Sequence, residues 1–180
     1  ISEAQYNEVI DFLNSKEEVQ EKVPALYTSA DAINGENQEA VQIIVPNDNA
    51  EIDKIINIIN KKTGEKITLN NNEIVITDKL AELLNVEKGS TIILRDSDGL
   101  EKEVVIGEIA ENYIYHYIYM SKDLYNSLYE EPYETNVIFT INSDLSEEQE
   151  SNLLRDMISE TYISSVTPVT SMRTIMDDAM

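Results

Sequence analysis

The chain has 180 residues, 42% of them hydrophobic, which is enough to bury a sizeable core in one domain or in two small subdomains. Its 13 basic and 35 acidic residues give a formal charge of -22, and the resulting field repels phosphate backbones and anionic lipid head groups, excluding nucleic acid as a partner. The absence of cysteine excludes thiolate chemistry, disulfides and cysteine-ligated zinc, and leaves His116 as the one imidazole.

No window approaches about 18 consecutive apolar residues, so no helix that crosses a bilayer is predicted, and no basic, apolar signal-type segment opens the chain. It begins at Ile1 rather than Met, as expected of a processed protein or of a piece of a longer one.

In chain order, Ser2-Glu3-Ala4-Gln5 has the spacing of a capping box, and Tyr6, Val9, Ile10 and Leu13 follow at helical intervals. Ser15-Lys16-Glu17-Glu18 repeats the pattern and predicts a restarted helix over Val19 and Val23, ended by Pro24. Residues 25 to 33 read as loosely extended, Gly35-Glu36-Asn37 as a turn, and Val41 to Val45 as a strand. Ile52, Ile55, Ile56 and Ile59 share a helical face, which predicts an amphipathic helix from Glu51 to Lys62 stopped by Gly64.

Asn70-Asn71-Asn72 reads as a polar turn before a short strand, Glu73 to Ile76. Thr77 or Asp78 can start a helix that carries Leu80, Ala81 and Leu84 on one side. Asn85 falls where the helix ends in a left-handed residue, and Val86 is placed to fold back on the last turn. Gly89 allows the turn into Ile92 and Leu94. Asp96-Ser97-Asp98-Gly99 separates two extended runs, 91 to 95 and 102 to 109, as in a β-hairpin. The same acidic turn fails as a calcium loop, because Leu94 and Val105 occupy positions that need oxygen ligands.

The run from Asn112 to Met120 reads as a strand, and Ser121 as the cap of a short helix with Leu124, Tyr125 and Leu128 that finishes before Pro132. Val137 to Ile141 is a further strand, and Ser146-Glu147-Glu148-Gln149 is a capping box leading a helix with Leu153, Leu154, Met157 and Ile158 on its inner face. Tyr162 to Val169 reads as extended, with Pro168 suiting an edge position, and Met172, Ile175, Met176 and Ala179 as a last helical apolar stripe. That stripe is either packed on the body or membrane-proximal. Helices mixed with hairpins, without a regular alternation of the two, place the chain in the α+β class with a mixed sheet.

Catalytic and metal signatures are missing from the pattern. His116 lies within a strand with no motif-placed nucleophile and no second histidine to share a metal, and reads as a structural side chain. No Asp/Glu pair stands out among so many for acid–base work, and the 5 glycines form no phosphate-binding loop. No enzyme, cofactor or metal is therefore expected.

The informative polar feature is NYIYHYIYM, in which Tyr113, Tyr115, Tyr117 and Tyr119 alternate with Ile114, His116, Ile118 and Met120. On a strand the four phenols line one face and the mainly apolar side chains the other. A tyrosine row of this kind either receives a partner, being apolar with a hydrogen-bonding tip, or packs under a neighbouring element.

The segment Glu73 to Thr77, Lys79 to Leu84, Val86 to Ile92, then Val104-Val105-Ile106-Gly107-Glu108-Ile109 and Ile118-Tyr119-Met120-Ser121, resembles the extracytoplasmic domain of MacB/FtsX-type ABC transporter permeases. The order of a short strand, a helix reading lA..l.v..G, a hairpin, a V.GI strand and a later aromatic strand carries the resemblance, which covers residues 73 to 141. One departure is Leu69-Asn70-Asn71-Asn72, where the family often has a turn containing Gly-Arg.

The resemblance implies a single extracytoplasmic domain over residues 1 to 180, with candidate subdomains 25 to 70 plus 137 to 170 around an inserted 73 to 130. It implies an insertion between the first two transmembrane helices of a permease, on the outer face of the cell membrane, touching the membrane only through those helices. ATP hydrolysis would belong to a separate ABC ATPase subunit or domain, and the outer domain would couple that cycle to a peptide, lipoprotein or cell-wall partner. A secreted or lipid-anchored binding module is the alternative. A swapped-hairpin transcription regulator also carries the pattern L.V..G..I.L, but the charge of -22 opposes it.

Overall fold

In the computed structural model, residues 1–54, 58–111 and 116–168 are described. They form two compact units, one of residues 1–20 with 141 onward, the other of residues 21–140.

In the first unit, α1 (Glu3–Asn14) begins with the expected reciprocal cap, in which Ser2 Oγ accepts from the Gln5 amide and the Gln5 side chain accepts from the Ser2 amide. Val9 and Leu13 are its buried residues. The predicted restart at Ser15 does not occur. The Ser15 hydroxyl instead donates back to the Phe12 carbonyl at 2.6 Å, so it closes one helix rather than opening another, and from Val19 the chain is extended. The second helix, α4 (Glu147–Ser159), carries the same reciprocal cap between Ser146 and Gln149 and buries Leu153 and Met157. Ile158, expected inside, is 49% exposed. Lys16 reaches Asp156 at 2.8 Å, an ion pair between residues 140 positions apart. Residues 163 to 168, read from sequence as extended, form no strand, and the Ile163 amide turns back to the Glu160 carbonyl. The apolar stripe from Met172 to Ala179 lies outside the described residues.

The second unit is built on a ring of strands. β1 (Val19–Asn34) and β2 (Asn37–Pro46) form an antiparallel hairpin through Gly35 and Glu36, with Gly35 at φ 60°. β3 (Ile74–Thr77) leads directly into α2 (Asp78–Leu84), and β4 (Thr91–Arg95) pairs antiparallel with β5 (Glu101–Ala110) across the acidic turn. β6 (Tyr117–Tyr119) precedes α3 (Lys122–Leu128), and β7 (Val137–Asn142) completes the set.

The strand order is β2-β6-β3-β5-β4-β1-β7, and β1 also pairs with β2, so six of the seven strands close on themselves. At Asp31 to Ile33, β1 holds β2 on one edge and β4 on the other. The β2–β6 and β3–β5 pairs are parallel, the rest of the ring antiparallel, which is the mixed sheet expected of the α+β class.

Closure removes free edges and gives the strands a true inside. The period of two sends Val41, Ile43, Val45, Ile74, Ile76, Ile92, Leu94, Val104, Ile106 and Ile118 into one buried cluster, joined by Leu80, Ala81 and Leu84 of α2 and Leu124 of α3. The opposite faces of β2, β3 and β6 are buried too. Ile44, Val75 and Tyr119 meet Ile52, Ile58, Ile67 and Leu69 in a second cluster supplied by the segment between β2 and β3. β3 is thus buried at all four positions and reads as an uninterrupted apolar run, as strands covered on both faces do.

That covering segment is not the predicted helix. A 3-10 helix spans Asn49–Lys54, and by Ile59 the chain is bridged to Lys66, with Asn60 bridged to Ala110. The Asn60 side chain accepts the amides of Lys62 and Thr63, and the Ile59 carbonyl accepts the amide of Glu111, so side-chain and tertiary bonds replace the helical ones there. Ile55 and Ile56 lie outside the described residues.

The corner after α2 follows expectation. Asn85 is left-handed at φ 55° and ψ 53°, and the Val86 amide reaches the Ala81 carbonyl at 3.0 Å. Thr77 supplies no side-chain cap to α2. At the other end, Asn34 Nδ2 from the β1–β2 hairpin donates to the Leu84 carbonyl at 2.9 Å.

Candidate functional site

Of the tyrosine row, Tyr113 and Tyr115 lie outside the described residues, while Tyr117 and Tyr119 are placed by β6. They share one face, as alternation requires, with ring centroids 6.1 Å apart, and Ile118 and Met120 are fully buried on the other. Tyr119 is 2% exposed within the second core cluster, and Tyr117 is half-buried against it. This short strand is therefore held from both sides. His116 is half-buried just before it; its carbonyl accepts the Gln42 amide at 3.0 Å, and its buried Nδ1 has no hydrogen-bond partner.

Two adjoining clefts of about 450 and 320 Å³ share Asn60, Lys88 and Glu108 in their walls. Glu108 on β5 organises them, accepting from Asn60 Nδ2 and from Lys88 Nζ, each at 2.6 Å. The hydrogen bond and charge of Glu108 raise the Lys88 ammonium above its ordinary value. The smaller cleft continues past Lys61, which pairs with the buried Asp78 at 3.0 Å, to the apolar side chains of Ala81 and Val86. Lys88 and Lys61 are each held here by a carboxylate, Glu108 and Asp78. Among the described residues no cluster of three or more His, Asp or Glu side chains could hold a metal ion.

A second aromatic group lies on α3 and the segment after it. Tyr125 and Tyr129, one helical turn apart, stack at 4.9 Å, and Tyr133 meets Tyr125 edge-on at 6.1 Å. Tyr133 is anchored through its hydroxyl, which donates to the Val45 carbonyl at 2.9 Å. Lys122 sits over the Tyr133 ring at 4.7 Å from its centroid and donates to Asn47 Oδ1 at 3.1 Å. Burial, then the Asp96 carboxylate, then Tyr125 push the Tyr129 phenol up to about 12, and burial followed by Glu131 raises that of Tyr125. The sequence signal was present in Tyr125 and Tyr129 at a spacing of four, but the contact of Tyr125 with Tyr133 depends on tertiary structure.

No family model and no curated protein matches this sequence. Its fold is that of the extracellular domain of ABC-type transporters. Two solved structures of this class are similar along most of the chain. The extracellular domain of the noncanonic ABC-type transporter YknZ from Gram-positive bacteria has a TM-score of 0.53 and 12% identity, over 85% of this chain and 78% of that one. The periplasmic region of MacB from Actinobacillus actinomycetemcomitans has a TM-score of 0.52 and 11% identity, over 95% of this chain and 82% of that one. The resemblance read from residues 73 to 141 thus extends, as a fold, through most of the chain.

Proposed function

We propose that residues 1 to 180 are one extracytoplasmic domain of an ABC transporter permease, lying on the outer face of the cell membrane and coupling the cycle of an ABC ATPase subunit to a peptide, lipoprotein or cell-wall partner. The observation that carries this reading is a likeness in fold to two transporter domains over 85% and 95% of the chain. The domain acts by binding and conformational coupling and not by covalent chemistry, in keeping with clefts in which Lys88 is paired with Glu108 and Lys61 with Asp78. No described helix is long and apolar enough to cross a membrane, so in this reading the membrane is reached through flanking helices. Its partner contact is the part of the row formed by Tyr113, Tyr115 and the half-buried Tyr117; Tyr119, sealed in the second cluster, is excluded from it.

The test is the parent gene. Hydrophobic spans of about 20 residues on both sides of this region are expected. A lipoprotein signal upstream with no span downstream would overturn the permease reading in favour of a secreted or lipid-anchored binding module. For the contact, Tyr115→Ser with Tyr117→Ser should abolish capture of the partner by the full-length permease while leaving the domain's melting temperature within a few degrees.

A further inference from the structure

Asn34-Gly35 is the only Asn-Gly pair in the sequence, and the fold sets it at the tip of the β1–β2 hairpin. Asn34 and Asn37 pair as the last strand positions, which leaves Gly35 and Glu36 as the two turn residues. Gly35, at φ 60° in the first of these places, has the conformation of a type II′ turn, and a Cβ built on it would meet nothing within 4 Å. The glycine is exposed, and among the described residues no turn or loop carbonyl accepts its amide.

The asparagine beside it ties two elements together. Its Nδ2 donates to the Leu84 carbonyl at 2.9 Å, and Asn37 Nδ2 reaches the same oxygen at a longer 3.4 Å. Leu84 is the last residue of α2 and is fully buried in the main cluster, and its carbonyl is one of those that a helix end leaves without an intrahelical partner. A side-chain amide suits that position because it donates. A carboxylate does not, since it only accepts, and the end of a helix already carries partial negative charge.

We propose that Asn34 is a site of spontaneous deamidation and that the change unfastens the β1–β2 hairpin from α2. The Gly35 backbone nitrogen attacks Asn34 Cγ and closes a succinimide ring, while the Cγ–Nδ2 bond breaks and Nδ2 leaves as ammonia with the proton given up by the Gly35 amide. Water then opens the ring at either carbonyl to aspartate or isoaspartate, with no change of oxidation state. Glycine permits the step because it has no side chain to obstruct the approach of its nitrogen to Cγ. The hydrogen bond that holds Nδ2 opens and closes on the timescale of loop motion, far faster than the chemistry, so it restrains Asn34 without protecting it. Either product removes the donor and sets a carboxylate against the Leu84 carbonyl, and isoaspartate also lengthens the backbone by a methylene where β1 enters the turn. This site is independent of the permease reading and of the tyrosine row.

The test incubates the 180-residue chain at mildly alkaline pH, which favours the deprotonated amide nitrogen, and follows each asparagine by peptide mapping, with isoaspartate read in the same peptides by methyltransferase labelling. Asn34 should convert ahead of every other asparagine, including Asn14, Asn126 and Asn142, each followed by the small residue serine. Isoaspartate should be the main product, as a succinimide requires. Mapping separates it from isoaspartate formed at Asp98-Gly99, which arises without loss of an amide. The converted chain should melt at a lower temperature than the fresh one and exchange the Val86 amide faster, that amide being the one bonded to the Ala81 carbonyl at the end of α2. The drop in melting temperature on incubation should be larger for the parent than for Asn34→Gln, whose longer side chain closes a ring far more slowly. Conversion at Asn34 no faster than at Asn14, Asn126 or Asn142 overturns the site. Full conversion with unchanged melting and unchanged Val86 exchange overturns its consequence, and both readings come from the parent chain, so neither depends on the variant folding.

Discussion

Glu73 lies directly against the backbone of Gly107: a Cβ built on Gly107 would stand 2.7 Å from the Glu73 Cβ and 3.2 Å from its carboxyl carbon. The contact falls where β3 and β5 run parallel, next to the register shift between Ile74 and Val75. Gly107 was legible in sequence as the glycine of a V.GI strand, and the structure supplies the reason for it. Gly107→Ala should cost about 1 to 3 kcal/mol, the usual penalty of forcing atoms into a filled site, seen as a lower urea midpoint at unchanged slope. Glu73→Ala should not rescue it, because alanine retains the Cβ that makes the shortest contact.

Asn85 occupies a position that would accept glycine. Its φ of 55° is a conformation that most side chains resist and that glycine adopts freely. Asn85→Ala should therefore destabilise by about 1 kcal/mol, and Asn85→Gly should change stability by no more than a few tenths, as measured by thermal melts of the two variants side by side.

The two described members of the tyrosine row should separate on truncation. Tyr119, 2% exposed, should lose about 3 to 5 kcal/mol as Tyr119→Ala, the range for large aromatic-to-alanine cavities. Tyr117→Ser, at a half-buried position, should cost about 1 to 1.5 kcal/mol, roughly half the transfer free energy of a buried aromatic. Chemical denaturation of both variants checks the ordering, and a Tyr117 variant as costly as the Tyr119 one would make Tyr117 a core residue and remove it as a contact.

Tyr129 should titrate late. With its phenol pushed up to about 12, it stays protonated in the folded chain while an ordinary tyrosine ionises near 10. The unfolded chain then gives up its proton first, so the stability linked to Tyr129 is complete below about pH 10 and is lost as pH rises toward about 12. Phenolate absorbance of the parent compared with Tyr129→Phe should show one late-titrating group missing from the variant.

Much of the local structure was written locally. Ser2, Ser121 and Ser146 mark three helix starts because a cap needs only a side-chain oxygen and the amides two or three residues on. Asn85 marks the end of α2 for a similar reason, since φ preference belongs to the residue itself. The β4–β5 hairpin followed from two extended runs broken by a short turn containing Gly99, whereas of the β1–β2 hairpin only the turn at Gly35 and the strand after it were read, not the pairing. Capping spacing misled at Ser15, where the same hydroxyl closes a helix instead of opening one.

The failures share a cause in bonds to distant residues. Isoleucines at helical intervals from Ile52 to Ile59 read as a helix because periodicity does not reveal that Ile59 and Asn60 bond to Glu111 and Glu108. Nor does period two say whether the second face of β6 is open, and it is the segment from Ile52 to Leu69, packed from outside the ring, that buries Tyr119. The aromatic group on α3 went unread because Tyr133, beyond the helix, meets Tyr125 edge-on only in the fold.

The sequence by itself determined the α+β class, the acidic surface, the helix caps and the left-handed corner at Asn85, since each depends on composition or on groups within a few bonds. Only the tertiary structure decided that six strands close into a ring, which tyrosines are covered, and that Tyr133 meets Tyr125. The physical reason is range. Caps and turns are satisfied by neighbouring residues, whereas strand order, two-sided burial and local electrostatic fields come from groups far apart in the chain that meet only when it folds.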